Sequence, residues 1–147
     1  MDSLRLLSEN ERLVSKLYTI YAEKFPEVKE FWLQKAAEEN VHAELLESVR
    51  LIKQETPSFF QEDRFSIEAI ELTMSFVKDL IQKAENSTLI NALSMARDIE
   101  HSLIERYFFK VIPSDSPTIK NAFAKIEQDT KRHREEIQEL WLKYAIK

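Results

Sequence analysis

Apolar residues recur every three or four positions along nearly the whole chain, the spacing of a single buried face on an α-helix. With proline and capping residues as punctuation, the pattern predicts five helices. The first runs from about Ser3 to Lys24 and breaks near Phe25-Pro26. The second begins at Pro26, a residue suited to a first helical position, and runs to about Glu55. The segment TPSFFQEDRF, 56–65, reads as a connection containing Pro57. A third helix, about Ser66 to Glu85, is apolar along Ile70, Met74, Val77 and Ile81. Asn86-Ser87 marks a break before a fourth, about Ser87 to Val111, which Pro113 closes. In SDSP, 114–117, Ser116 reads as an N-cap with Pro117 opening the last helix, which extends to about Ala145. No linker divides the chain, so one all-α domain over 1–147 is expected. Its architecture is a four-helix bundle whose long crossover connection contains an extra helix.

The polar positions inside the apolar stripes carry the chemistry. At 100° per residue, Phe31 and Val49 fall within about 20° of His42, and Val28 and Leu46 within about 40°. His42 is therefore at the centre of the second helix's stripe, and AEENVHAE, 37–44, places Glu38 and Glu39 on the same face. Glu11 aligns with Leu4, Leu7, Tyr18, Ala22 and Phe25. Glu100 is flanked by Leu93, Ala96, Leu103, Ile104, Tyr107 and Val111, and His133 aligns with Ala122, Ile126, Ile137, Leu140 and Tyr144.

Each group has an ordinary explanation when taken alone. A single histidine on an apolar face is commonly a hydrogen-bonded core residue, and Glu11 could close a capping box with Ser8 as N-cap. Glu100 lies deep inside its helix and has no such role. Four helices aiming ionisable groups at one core is a different matter, because an unpaired buried carboxylate costs several kcal/mol or stays protonated. A divalent metal bound by carboxylate oxygens and imidazole nitrogens removes that cost. An internal repeat supports convergence: Glu11, Tyr18 and His42 have counterparts at similar spacing in Glu100, Tyr107 and His133.

Composition narrows the chemistry. The 147 residues include no cysteine, which excludes disulfides, thiol nucleophiles and thiolate-held metals. They include no glycine, which disfavours phosphate-cradling loops and tight β-turns. The net charge of −5 argues against nucleic acid, and KRHR at 131–134, set among acidic residues, reads as a solvated face. No apolar run is long enough for a membrane span and the N-terminus lacks a signal-peptide stretch, so the expected location is the cytoplasm with no membrane partner.

A Glu on the first helix, Glu-x-x-His on the second, a Glu on the next bundle helix and a His on the last resembles the di-iron carboxylate pattern. YTIYAEKF, AEENVHAELL and ARDIEHSLIERYF are similar to the rubrerythrin-like branch of the ferritin-like superfamily, over about residues 8–143. The resemblance implies Glu11, Glu39 and His42 around one iron and Glu100 and His133 around the other, with Glu39 bridging. It implies a second bridge three residues before His133, where this chain has Thr130. Three carboxylates leave two Fe(II) ions with one uncompensated positive charge. Asp129 and Glu136, about 40° and 60° from His133, are the candidate substitute ligands, and both also read as surface or edge-of-core charges. An altered two-metal site, a one-metal site and a vestigial site on a scaffold are the three outcomes, in that order of preference.

The resemblance further implies peroxide or oxygen redox activity. The cysteine-rich electron-transfer module of rubrerythrins is absent, so electrons must come from a separate donor. Iron is the expected cofactor, and manganese or zinc suits the same ligands. The competing expectation is a ferritin-like bundle with a partial or lost metal site that binds a partner or serves as structure. Tyr18 and Tyr107 read as core tyrosines or as hydrogen-bond donors to ligand carboxylates, with Thr130 beside them. Trp32 and Trp141, about 80° off the stripe centres, read as packing or dimer contacts. A homodimer through exposed aromatics is expected, with Phe59, Phe60 and Phe65 as contacts or as a cap on the bundle end.

Overall fold

The structure is a computed structural model that describes residues 3–59, 66–108 and 116–146, with the side chains of 59 and 104–108 outside the description. Tyr107, Phe59, Phe60, Phe65, Ile104, Val111 and Pro113 carried expectations that fall outside the described side chains. Five α-helices account for nearly all the described residues, and no strand occurs among them: α1 (Ser3–Lys24), α2 (Lys29–Glu55), α3 (Ile67–Lys83), α4 (Leu89–Phe108) and α5 (Pro117–Ala145). None of these helices is long and apolar enough to cross a membrane.

Helix starts follow local chemistry. Ser116 Oγ accepts from the Ile119 N–H at 3.3 Å with Pro117 in the first turn, and Ser66 Oγ accepts from the Ala69 N–H at 3.2 Å. Both satisfy a backbone donor that has no intrahelical acceptor. Thr88 caps α4, its Oγ1 accepting from the Asn91 N–H at 3.2 Å. Proline at 26 tightens the chain into a 3₁₀ turn, Pro26–Val28, so α2 proper starts at Lys29, three residues after the expected start. Another 3₁₀ turn, Ala84–Asn86, ends the α3 segment.

The short Phe25–Val28 link folds α1 and α2 into an antiparallel pair with the most extensive packing in the molecule. A seam of small residues allows it: Ser8 Oγ donates to the Ala43 carbonyl at 3.1 Å, and Ser15 Oγ to the Ala36 carbonyl at 2.8 Å. Ser8 therefore sits mid-helix and cannot be the N-cap of a capping box, because α1 begins at Ser3. Helices α4 and α5 form the second antiparallel pair, tied by Arg97 to Gln138 at 2.9 Å and Trp141 Nε1 to Ser94 Oγ at 3.0 Å. Contacts between α2 and α5 also run in opposite order, from Lys35–Glu136 to His42–Asp129. Hence α2 and α4 point the same way, and the chain between them must return the length of the bundle. Helix α3 makes that return, packed on α1 through a surface that includes Ile70, Met74 and Val77.

Trp32 is wholly buried, with its ring 5.3 Å from Tyr18, 5.0 Å from Tyr21 and 5.3 Å from Phe31. Of the two readings of Trp32 this is packing within the chain and not a dimer contact: α1 covers the flank of α2 that lies off its main stripe. Trp141 is partly buried, under the Arg97 guanidinium.

Candidate metal centre

The serine clamps at 8 and 15 bracket Glu11, and their partners Ala36 and Ala43 bracket Glu39. The close seam between α1 and α2 thus brings these two carboxylates face to face. On the other side of Glu39 stands α5, where His133 Nδ1 lies 3.0 Å from Glu39 Oε1. His42 Nδ1 is 3.5 Å from Glu39 Oε2 and 3.7 Å from Glu11 Oε2. His133 Nδ1 is also 3.4 Å from Glu100 Oε1, to which the Tyr18 hydroxyl donates at 2.9 Å. The imidazoles stack at a 27° angle with centroids 6.0 Å apart. Glu11, Glu39, His42, Glu100 and His133 are all fully buried.

Two sets of ligand atoms result. Glu11, Glu39 and His42 each offer an atom within 4.8 Å of the others, as do Glu39, Glu100 and His133, and Glu39 belongs to both. Bonds of about 2.1 Å from one cation would place its ligand atoms on the order of 3–4 Å apart, so modest side-chain adjustment suffices. With the groups ionised, both oxygens of Glu11, Oε2 of Glu39, Oε2 of Glu100 and Nδ1 of His42 lack hydrogen-bond partners. Five orphaned polar atoms around one point fit a divalent cation set better than a finished hydrogen-bond network. These buried Glu and His clusters could hold a metal ion.

Without a cation, protons take up the strain. Burial, reinforced by the adjacent Glu39 charge, pushes Glu11 well above the usual carboxylate range. Burial and Glu39 push Glu100 up to about 7. Burial also acts to raise Glu39, but the adjacent Glu11, His133 and His42 groups outweigh it and hold Glu39 well below the usual range. Burial alone would lower both histidines. Glu11 and Glu39 overcome it and raise His42 to about 12, and Glu100 and Glu39 raise His133 to about 10. Burial and the Glu100 charge push Tyr18 up as well, so its phenol keeps the proton it donates.

The remaining predicted residues stand elsewhere. Asp129, expected as a substitute ligand, belongs to neither ligand set: its Oδ2 is 2.9 Å from Nε2 of His42, the nitrogen facing away from the carboxylates. Asp129 accepting from Nε2 fixes the ring and turns Nδ1 toward Glu11 and Glu39. Glu136 likewise belongs to neither ligand set: its Oε1 bonds Lys35 Nζ at 3.0 Å and it is partly exposed. The reach of the fully buried Lys35 side chain, lying over the Phe31 ring, draws Glu136 away from the cluster. Thr130 is buried but its hydroxyl donates to the Ile126 carbonyl at 2.7 Å, a bond within its own helix. The position of a fourth carboxylate is therefore left without one.

Lys35 was not anticipated as a site neighbour, and Glu38, expected on the inward face beside His42, had no role assigned. Glu38 Oε1 lies 3.2 Å from His133 Nε2, close but not aligned as a hydrogen bond. A signal existed in the sequence: Glu38 and Asp129 each stand four residues before a histidine, and each serves the histidine of the other helix. Arg132, in the basic run read as a solvated face, pairs with Glu38 and with Asp129. Comparisons with family models, curated proteins and solved structures give no match to this chain.

Proposed function

We propose that this chain is a ferritin-like bundle of the rubrerythrin-like type that binds two iron ions between α1, α2, α4 and α5 and reduces peroxide or reacts with oxygen. The observation that carries the reading is the sharing of Glu39 between two buried ligand triads, in which both Glu11 oxygens, one oxygen each of Glu39 and Glu100, and Nδ1 of His42 lack hydrogen-bond partners. The order of helices supports it too, since parallel α2 and α4 joined through α3 is the connectivity of that bundle class.

Glu11 and His42 would serve one ion, Glu100 and His133 the other, and Glu39 would lie between them. A bound iron pair would supply the one-electron steps that the amino acids cannot. The chain's own part is to keep the centre dry, to present the Nδ1 atoms inward, and to hold a proton on Tyr18 beside Glu100. Electrons would come from a separate donor protein. Three carboxylates in place of four leave the ion pair short of negative charge, which favours binding of an anionic or readily deprotonated substrate such as a peroxide.

The test is elemental analysis after anaerobic Fe(II) loading, with Thr130→Glu in parallel. About two ions per chain in the unmodified protein is the expected result. One ion, rising to two in Thr130→Glu, would indicate a half-lost pair. No metal in either form would leave the cluster as a proton-holding network in a structural bundle, the competing reading that Thr130 favours.

A further inference from the structure

The outer nitrogen of each histidine faces a carboxylate on the opposite helix, hydrogen-bonded at His42 and in close approach at His133, and one cation joins the two carboxylates. His42 Nε2 meets Asp129 Oδ2 at 2.9 Å, while Asp129 Oδ1 lies 3.3 Å from Arg132. The same guanidinium nitrogen pairs with Glu38 Oε2, and Glu38 Oε1 faces His133 Nε2 at 3.2 Å. The series His42–Asp129–Arg132–Glu38–His133 thus closes behind the site, across the α2–α5 seam. Spacing explains it: Asp129 and Arg132 are one turn apart on α5, and Glu38 and His42 one turn apart on α2.

We propose that Arg132 is a positioning residue that couples the two halves of the centre, and that the His133 half depends on it far more than the His42 half. The asymmetry comes from the other cations present. Asp129 is held a second time by Lys125 Nζ at 2.9 Å, so it keeps a partner if Arg132 is lost. Glu38 has Arg132 as its lysine or arginine partner among the described residues, so without it the carboxylate is free to swing toward solvent. Glu136 gives Arg132 a third contact, at 3.9 Å, which restrains the guanidinium over the seam. One guanidinium nitrogen meets Asp129 and Glu38 while Nε of the same rigid plane faces Glu136, an arrangement that an ammonium, a point charge on a flexible stem, reproduces only in part.

The metal-binding part of this inference rests on the proposed function, but the positioning part does not, and the test separates them. Arg132→Gln and Arg132→Lys are prepared beside the unmodified protein. In the metal-free proteins, ¹⁵N–¹H spectra of the imidazoles report ring environment directly. Arg132→Gln is expected to shift the His133 ring signals and speed exchange of its Nε2 proton, leaving those of His42 close to their original positions.

Stepwise Co(II) titration, followed by visible absorption, then reads the two half-sites. One step is expected to weaken by about 10–100-fold in Arg132→Gln, the usual loss when the partner of a ligating histidine is removed. The other is expected to change less than about threefold, and Arg132→Lys should recover only part of the loss. Unchanged His133 signals, or equal changes in both rings or both binding steps, would overturn the proposal by reducing Arg132 to a general brace of the seam. If the unmodified protein takes up no Co(II), the metal reading fails, and the imidazole spectra alone decide whether Arg132 positions His133.

Discussion

Loading the centre with metal should expel protons, and the number follows from the geometry of the cluster. At pH 7 His42 and His133, raised to about 12 and about 10 by their carboxylate neighbours, each carry an extra proton. Burial raises Glu11 well above the usual carboxylate range, and Glu100, at about 7, is close to half-protonated. Metal ligation needs neutral imidazoles and ionised carboxylates, so two divalent ions should release at least about two to three protons per chain. Calorimetric titration of Co(II) or anaerobic Fe(II) in buffers of different ionisation enthalpy measures that number. The product of the two apparent affinities should rise by at least about two orders of magnitude per pH unit near neutrality. Release of less than about one proton would refute the account, because it would place the metal away from these five residues.

Further outcomes follow from the same contacts. In the metal-free protein, the raised His42 and His133 stabilise the fold fully below their unfolded value of about 6.5, and this is lost as pH rises toward about 10 and then about 12. The depressed Glu39 contributes above about 4.5 and is lost as pH falls, so Tm should decline from pH 6.5 to 9 without metal and the gap to the loaded protein should widen; a constant gap would contradict this. Glu39→Gln should abolish uptake of both ions and Glu11→Gln of one, measured as metal per chain. Trp32→Ala, which empties a fully buried site against Tyr18 and Tyr21, should cost about 3–5 kcal/mol in denaturant unfolding. Lys35→Met, which replaces a buried ammonium by an apolar group of similar length, should change stability by no more than about 1–2 kcal/mol, whereas a larger loss would mean the pair with Glu136 is a principal brace between α2 and α5.

The helices and the inward direction of the five cluster residues were legible because periodicity reports which face is buried. Ser116-Pro117 located the start of α5 for the same local reason it exists, a hydroxyl acceptor followed by a residue lacking a donor. What periodicity could not report was the partner of each inward group. Asp129 lies only one helical step from the stripe centre on α5, yet it meets the outer nitrogen of His42, because which atoms meet depends on how α5 is rotated against α2. Glu136 shares the same stripe but is captured by Lys35, whose four-carbon chain spans a distance that helix angles do not express. Trp32 packs as its composition suggests but more deeply than its angle does, for a related reason: α2 is covered on two sides, by α1 and by α5, so a residue off its main stripe is still buried. Ser8 was weighed as a cap because capping and small-residue packing use the same residue types, and only the close approach of Ala43 distinguishes them.

The central claim is a pair of ions sharing Glu39, and anomalous diffraction from crystals of the iron-loaded protein tests it most directly. The account predicts two peaks about 3.5–4 Å apart, one beside Glu11 and His42, the other beside Glu100 and His133, with Glu39 between them. A single peak outside the bundle core, or no peak after loading, would contradict it.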